Sequence, residues 1–119
     1  MNSCHFIGRF SREPEAKKAQ NGTLYCQFDL AVHHGNKQQA HFIHCIAYEK
    51  LANAIGKYSH KGDKVGVSGH LINTTSTTKE GFKVEKYLIV CDEIDFISKA
   101  KKGAEEKEDT VQGDDADAD

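Results

Sequence analysis

Seven histidines, four cysteines and the acidic run "CDEID" are the residues of this 119-residue chain with the most evident capacity for chemistry. A structural zinc site shows close ligand pairs such as C-x2-C or H-x3-H, and the sequence has none. The nearest, His41 and His44, fall on opposite faces of an extended strand, as do the adjacent Cys4-His5 and His44-Cys45. No metal site is expected. Asp92, Glu93 and Asp95 could in principle hold a cation for phosphodiester hydrolysis, but they close a strand beside an acidic tail, where a solvated edge is the ordinary explanation. There is no glycine-rich phosphate loop and no nucleophile elbow. The sequence therefore predicts no catalytic residue and no cofactor, and the chemistry left to consider is recognition.

The stretch "HFIHCIAYEK", His41 to Lys50, is the candidate for it. Read as a strand, Ile43, Cys45 and Ala47 share one side, and Phe42, His44, Ile46 and Tyr48 share the other. A half-buried strand pairs one apolar face with one polar face, whereas here both carry apolar groups and two aromatics lie on the same side. Large aromatics are usually mostly buried, in a core or against another subunit, and from the residues alone that is the favoured reading of the pair.

These residues must be positioned by short strands and one helix. "CHFIGRF" is a first strand, ended by the turn-prone "SREPEAKKAQNG" with the chain's single proline, Pro14. "TLYCQFDLAV" places Cys26, Phe28, Leu30 and Val32 on one face at period two. A loop, "HHGNKQQ", leads into the His41–Lys50 strand. Leu51, Ala54, Ile55 and Tyr58 then recur at helical spacing, with Gly56 weakening the helix by about 1 kcal/mol relative to alanine and Gly62 expected to stop it. "KVGVSGHL" and "FKVEKYLIVC" are further strands, the first with Val65, Val67, Gly69 and Leu71 on one side, joined by a polar hairpin tip "INTTSTTKEG" and followed by a short "EIDFI" edge. Three strands, a helix and two strands fit an all-β chain with one short helix: the five-stranded oligonucleotide- and oligosaccharide-binding (OB) barrel.

Composition bounds the rest. Residues 1–97 form one domain with 12 Lys and Arg against 10 Asp and Glu, a net +2, and residues 98–119 form a tail with net −4. A segment so poor in bulky apolar groups cannot offset the entropy of ordering it, so a disordered acidic tail is expected. The mildly basic body is compatible with a polyanionic partner. No apolar run nears the roughly 18 residues of a membrane span, and no secretory leader is evident. With scattered cysteines that look like reduced thiols, this gives a cytoplasmic expectation without a membrane partner.

Taken together, "MNSCHFIGRFSREPE", "NGTLYCQFDLAV", "FIHCIAYEKLANAIGKYSHKGDKVGVSGHL" and "KEGFK" resemble, in order and spacing, the bacterial and phage single-stranded DNA-binding proteins. The resemblance implies an OB barrel, assembly as a homodimer or homotetramer with "CHFIGRF" pairing across a twofold axis, and sequence-independent coating of single-stranded DNA in replication, recombination and repair. It implies base stacking on Phe42 and Tyr48, and phosphate contacts from Lys50 and Lys61, with Lys37 in the neighbouring loop and Arg9 on strand one. His44 stands where relatives often carry a basic residue, so its contribution is expected to grow as the pH falls through the range in which histidines protonate.

Departures from the pattern matter too. The chain has no tryptophan, the hairpin tip reads Thr74, Thr75 and Ser76 where relatives usually carry an aromatic and basic residues, and "HHGNKQQ" is short. A weaker or smaller binding site is expected. The tail ends "DDADAD" without the hydrophobic tip that docks on replication and recombination proteins in relatives, which is compatible with a phage-encoded member. The competing reading is a barrel used mainly for protein contacts, such as a primosome-type accessory subunit or recombination mediator, with weak DNA binding.

Overall fold

In a computed structural model, residues 1–35 and 39–100 are described. Lys37, residues 101–119 and the expected disorder of the tail lie outside them. The elements run β1 (Cys4–Phe10), β2 (Glu15–Lys18), β3 (Leu24–His33), β4 (Ala40–Tyr48), α1 (Glu49–Tyr58), β5 (Lys64–Thr77) and β6 (Lys83–Ser98). Five of the six strands close into a ring in the order β1-β5-β6-β4-β3, with β3 returning to β1. The pairings are antiparallel except β4–β6, which is parallel. This is the OB fold that the element order predicts.

Alternation explains the core. Cys26, Phe28 and Leu30 of β3 are buried, with Val32 packed beside them, and Val65 and Val67 of β5, Cys45 and Ala47 of β4, and Ile89 and Cys91 of β6 complete the interior. Phe10 meets Phe28 edge to face, with ring centroids 5.3 Å apart. The helix plugs this interior with Ala52 and Ile55. Gly56 permits that approach, because a Cβ there would stand 3.0 Å from the Cβ of Ala16 on β2.

Several expectations need correction. "SREPEAKKAQNG" is not all turn, since Glu15–Lys18 pairs with β3. The buried stripe of α1 runs through Ala52 and Ile55, and Tyr58 is exposed. The helix ends at Tyr58, capped at Ser59, not at Gly62. Most of "INTTSTTKEG" is strand, because β5 continues to Thr77, and "EIDFI" is the unbroken end of β6. Leu71 is exposed, lying where β5 and β6 leave the ring as a two-stranded ribbon. At the other end, β6 reaches Ser98, and Asp63, nearly fully buried, accepts hydrogen bonds from the backbone N–H groups of His60 and Ala100. The ordered body thus extends past residue 97.

Burial also sets thiol chemistry. It pushes Cys26 to about 11, Cys45 to about 12 and Cys91 to about 11; a hydrogen bond with the Glu15 backbone partly offsets the rise at Cys26, while the Cys91 thiol and Asp92 add smaller upward effects at Cys45 and Cys91 respectively. Because the folded values lie above the ordinary 9.0, their contribution to stability is complete below that value and drains as pH rises through 11 to 12. Cys4, only partly buried, is expected to be alkylated alone at about pH 8, with the other three thiols protected until the chain unfolds. Intact-mass measurement after a timed iodoacetamide pulse checks this, and rapid fourfold labelling would contradict it.

Candidate nucleic-acid interface

The outer face of the β2–β3–β4 sheet follows from its register. Tyr25 lies opposite Tyr48, Gln27 opposite Ile46, Asp29 opposite His44 and Ala31 opposite Phe42. On β2, Lys17 and Glu15 extend the same rows at Tyr25 and Gln27. Directly opposed residues share a face, so these side chains form one surface. Phe42 is 59% and Tyr48 43% exposed. Six residues at about 3.3 Å each put the two rings roughly 20 Å apart along β4. They are separate platforms and do not form one sandwich. Ile46 shares their face yet is buried, because it sits at the seam where β4 pairs with Val90 of β6.

Beside this face runs a groove of about 470 Å³, bounded by Gln27, Asp29 and His44 on one side and by Thr74, Glu85 and Tyr87 of the ribbon on the other. On its floor the Asp29 carboxylate accepts a hydrogen bond from His44 Nδ1 at 2.7 Å and pairs with Arg12 Nη2 at 3.5 Å. His44 is therefore positioned on the groove by a carboxylate. Arg12 and Asp29 were not singled out in the sequence, although the alternation of "QFDLAV" already puts Gln27 and Asp29 opposite the core. A carboxylate on a phosphate path opposes binding. Replacing Asp29 by asparagine is expected to tighten oligonucleotide binding by about two- to fivefold at low salt, the gain shrinking as salt rises. A titration series with unchanged or weaker binding would place the phosphates elsewhere.

The expected cations divide. Lys50 is exposed in the first turn of α1, two residues after Tyr48. Between them the chain turns from strand to helix with no connecting loop, and Glu49 takes the left-handed conformation at φ +53°, a conformation that costs a non-glycine residue roughly 1 kcal/mol or more. Lys61 is exposed, and its backbone N–H is donated to Glu13 Oε1 at 3.0 Å. Glu13 also accepts from His60 and borders a second, polar recess of about 270 Å³ with Arg12, Lys17 and Tyr25, so the Lys61 segment is anchored next to the Tyr25–Tyr48 end of the face. Arg9 is half-buried and donates Nη1 to the Gly62 carbonyl at 2.8 Å. That bond ties β1 to the loop after the helix and commits part of the guanidinium to the fold. Among the described residues no three His, Cys, Asp or Glu side chains come together to hold a metal, and no helix is long and apolar enough to cross a membrane.

Comparison with known proteins agrees with this architecture. The Plasmodium falciparum SSB complex with ssDNA has a similar fold, with a TM-score of 0.73 at 22% identity over 82% of this chain and 96% of that one. A single-stranded DNA-binding protein of Fusobacterium nucleatum is 36% identical over 81% of this chain and 66% of its own length. One from Malacoplasma penetrans is 34% identical over 82% and 52% respectively, and one from Clostridium perfringens 34% identical over 87% and 71%. The chain thus spans about half to two thirds of the length of several curated relatives it matches. The model of the single-strand binding protein family matches residues 1–97. With nearly all of the described body matched as one unit, the chain belongs to the single-strand binding protein family.

Proposed function

We propose that this protein binds and coats single-stranded DNA without sequence specificity, in replication, recombination and repair, as a binding protein and not an enzyme. The observation that carries the reading is the exposure of Phe42 and Tyr48 on one continuous sheet face beside a groove. Stacking is indifferent to base identity because every base has a π face, and Lys50, Lys61 and His44 flank the path where phosphates would run. The names of the relatives support the same ligand. Free, mostly buried thiols suit a reducing compartment such as the cytoplasm.

The same reading includes self-association. Cys4–Ile7 of β1 pairs with β5 along one edge, its other edge has no strand partner among the described residues, and Ile7 is exposed. An open edge with apolar side chains invites a second copy, giving a homodimer or homotetramer; a monomer by light scattering at micromolar concentration would oppose it.

The test is anisotropy of a labelled oligo-dT and of the matching duplex at two salt concentrations. Tight, salt-sensitive binding to the single strand alone is expected. Asp29 and Glu85 on the groove favour one rival, an OB subunit for protein contacts, and absence of binding at low salt would favour it.

A further inference from the structure

Where β6 leaves the ring, one side chain changes its role. Ile89 and Val90 pair with Cys45 and Ile46 of β4, whereas Lys83 to Leu88 pair only with β5. Side chains alternate along a strand, so Tyr87 continues the face that carries Ile89 and Cys91 into the core. With β4 no longer alongside, that face opens over the groove. Tyr87 is 61% exposed and borders the groove together with His44, Asp29 and Gln27. Its cross-strand partner is Asn73, which gives the ring no apolar neighbour, and among the described residues no ring contact or hydrogen bond engages it. The groove's volume lies within the range of sites that enclose small organic rings.

We propose that Tyr87 is a third base platform, on the ribbon wall of the groove, so that single-stranded nucleic acid is held between β4 and β6 and not on β4 alone. The proposal rests on the reading in which Phe42 and Tyr48 stack bases. It supplies an aromatic on β6 where the facing strand offers only Asn73, Thr74, Thr75 and Ser76. Lys86 and Arg12 border the same groove as phosphate partners.

The test compares oligo-dT with an abasic oligomer of equal length, using the full chain. Tyr87→Ala is expected to weaken oligo-dT binding about 5- to 150-fold and to leave abasic binding unchanged, while Tyr87→Phe keeps the wild-type affinity. Because the chain has four tyrosines and no tryptophan, tyrosine emission gives a second readout: Tyr87→Phe should lose part of the quench that oligo-dT produces without losing affinity. Equal losses on both oligomers, or an undiminished quench, overturn the proposal. Retained oligo-dT affinity in Tyr87→Ala, beside a loss in Phe42→Ala, overturns it while leaving the β4 platforms standing. Retained affinity in both variants, or a wild-type chain that does not bind oligo-dT, overturns both.

Discussion

The Phe42→Ala, Tyr48→Ala double variant is expected to bind oligo-dT between about 30-fold and 25,000-fold more weakly than the wild type. Each stacked base is worth roughly 1 to 3 kcal/mol, and two rings about 20 Å apart along a strand are far enough apart for their effects to add. The slope of affinity against salt should stay the same, because the cations on the path are untouched. Thermal stability should change little, since both rings are substantially exposed and exposed substitutions usually fall within about 0.5 kcal/mol. Fluorescence anisotropy at three salt concentrations and a thermal melt together decide the matter. A large drop in melting temperature with unchanged binding would make the rings structural.

The largest effect on stability is expected at Gly69. β5 and β6 slip register between Ser68 and Gly69, so that Ser68 faces Glu93 while Gly69 faces Cys91 and Asp92 is the extra residue. A Cβ at Gly69 would lie 1.9 Å from the carbonyl oxygen of Val90. Backbone on both sides cannot yield as a flexible side chain would. Gly69→Ala should therefore cost about 3 kcal/mol or more, lowering the melting temperature by at least about 12 °C in a domain of this size. Gly66→Ala is the control, because a Cβ there meets nothing nearer than 3.8 Å. Equal melting temperatures for the two variants would mean that the strands pair in a different register. The slip also has a use: bulges sharpen twist and bend the strands that carry them, and this one lies in the ring just before the β4 seam, beyond which the same two strands form the ribbon that walls the groove.

How far the site could be read from the sequence depended on whether a residue's fate is local. Period-two alternation is local, so Cys26, Phe28, Leu30, Val65 and Val67 declared themselves as core, and Phe42 and Tyr48 as partners on one face. Their exposure was not decided by alternation, because Ile46 on the same face is buried by the β6 seam. The strand state of "EAKK" has no local signature beyond Ala16 and comes from pairing with β3 and contact with Gly56. Tyr87 and Leu71 carried the right period for a core strand, and only the points at which their neighbours stop pairing, β4 beside β6 at Ile89 and β1 beside β5 at Gly69, put them in solvent. Arg9 shows the converse: a cation expected on the phosphate path is partly engaged by the Gly62 carbonyl, a partner 53 residues away that no spacing rule could name.

The ring closes through two short seams: Arg9 and Phe10 with Ala31 and Leu30, and Cys45 and Ile46 with Ile89 and Val90. Hairpins β3–β4 and β5–β6 are by contrast long and close in sequence, with nine and fourteen paired positions. Loop-closure entropy favours such neighbours early and delays contacts between distant segments. The groove has its floor on one hairpin and its wall on the other, so neither hairpin contains it. During synthesis, the nascent chain must emerge through β6 before the groove can be assembled, which delays any grip on nucleic acid there until the domain is nearly complete.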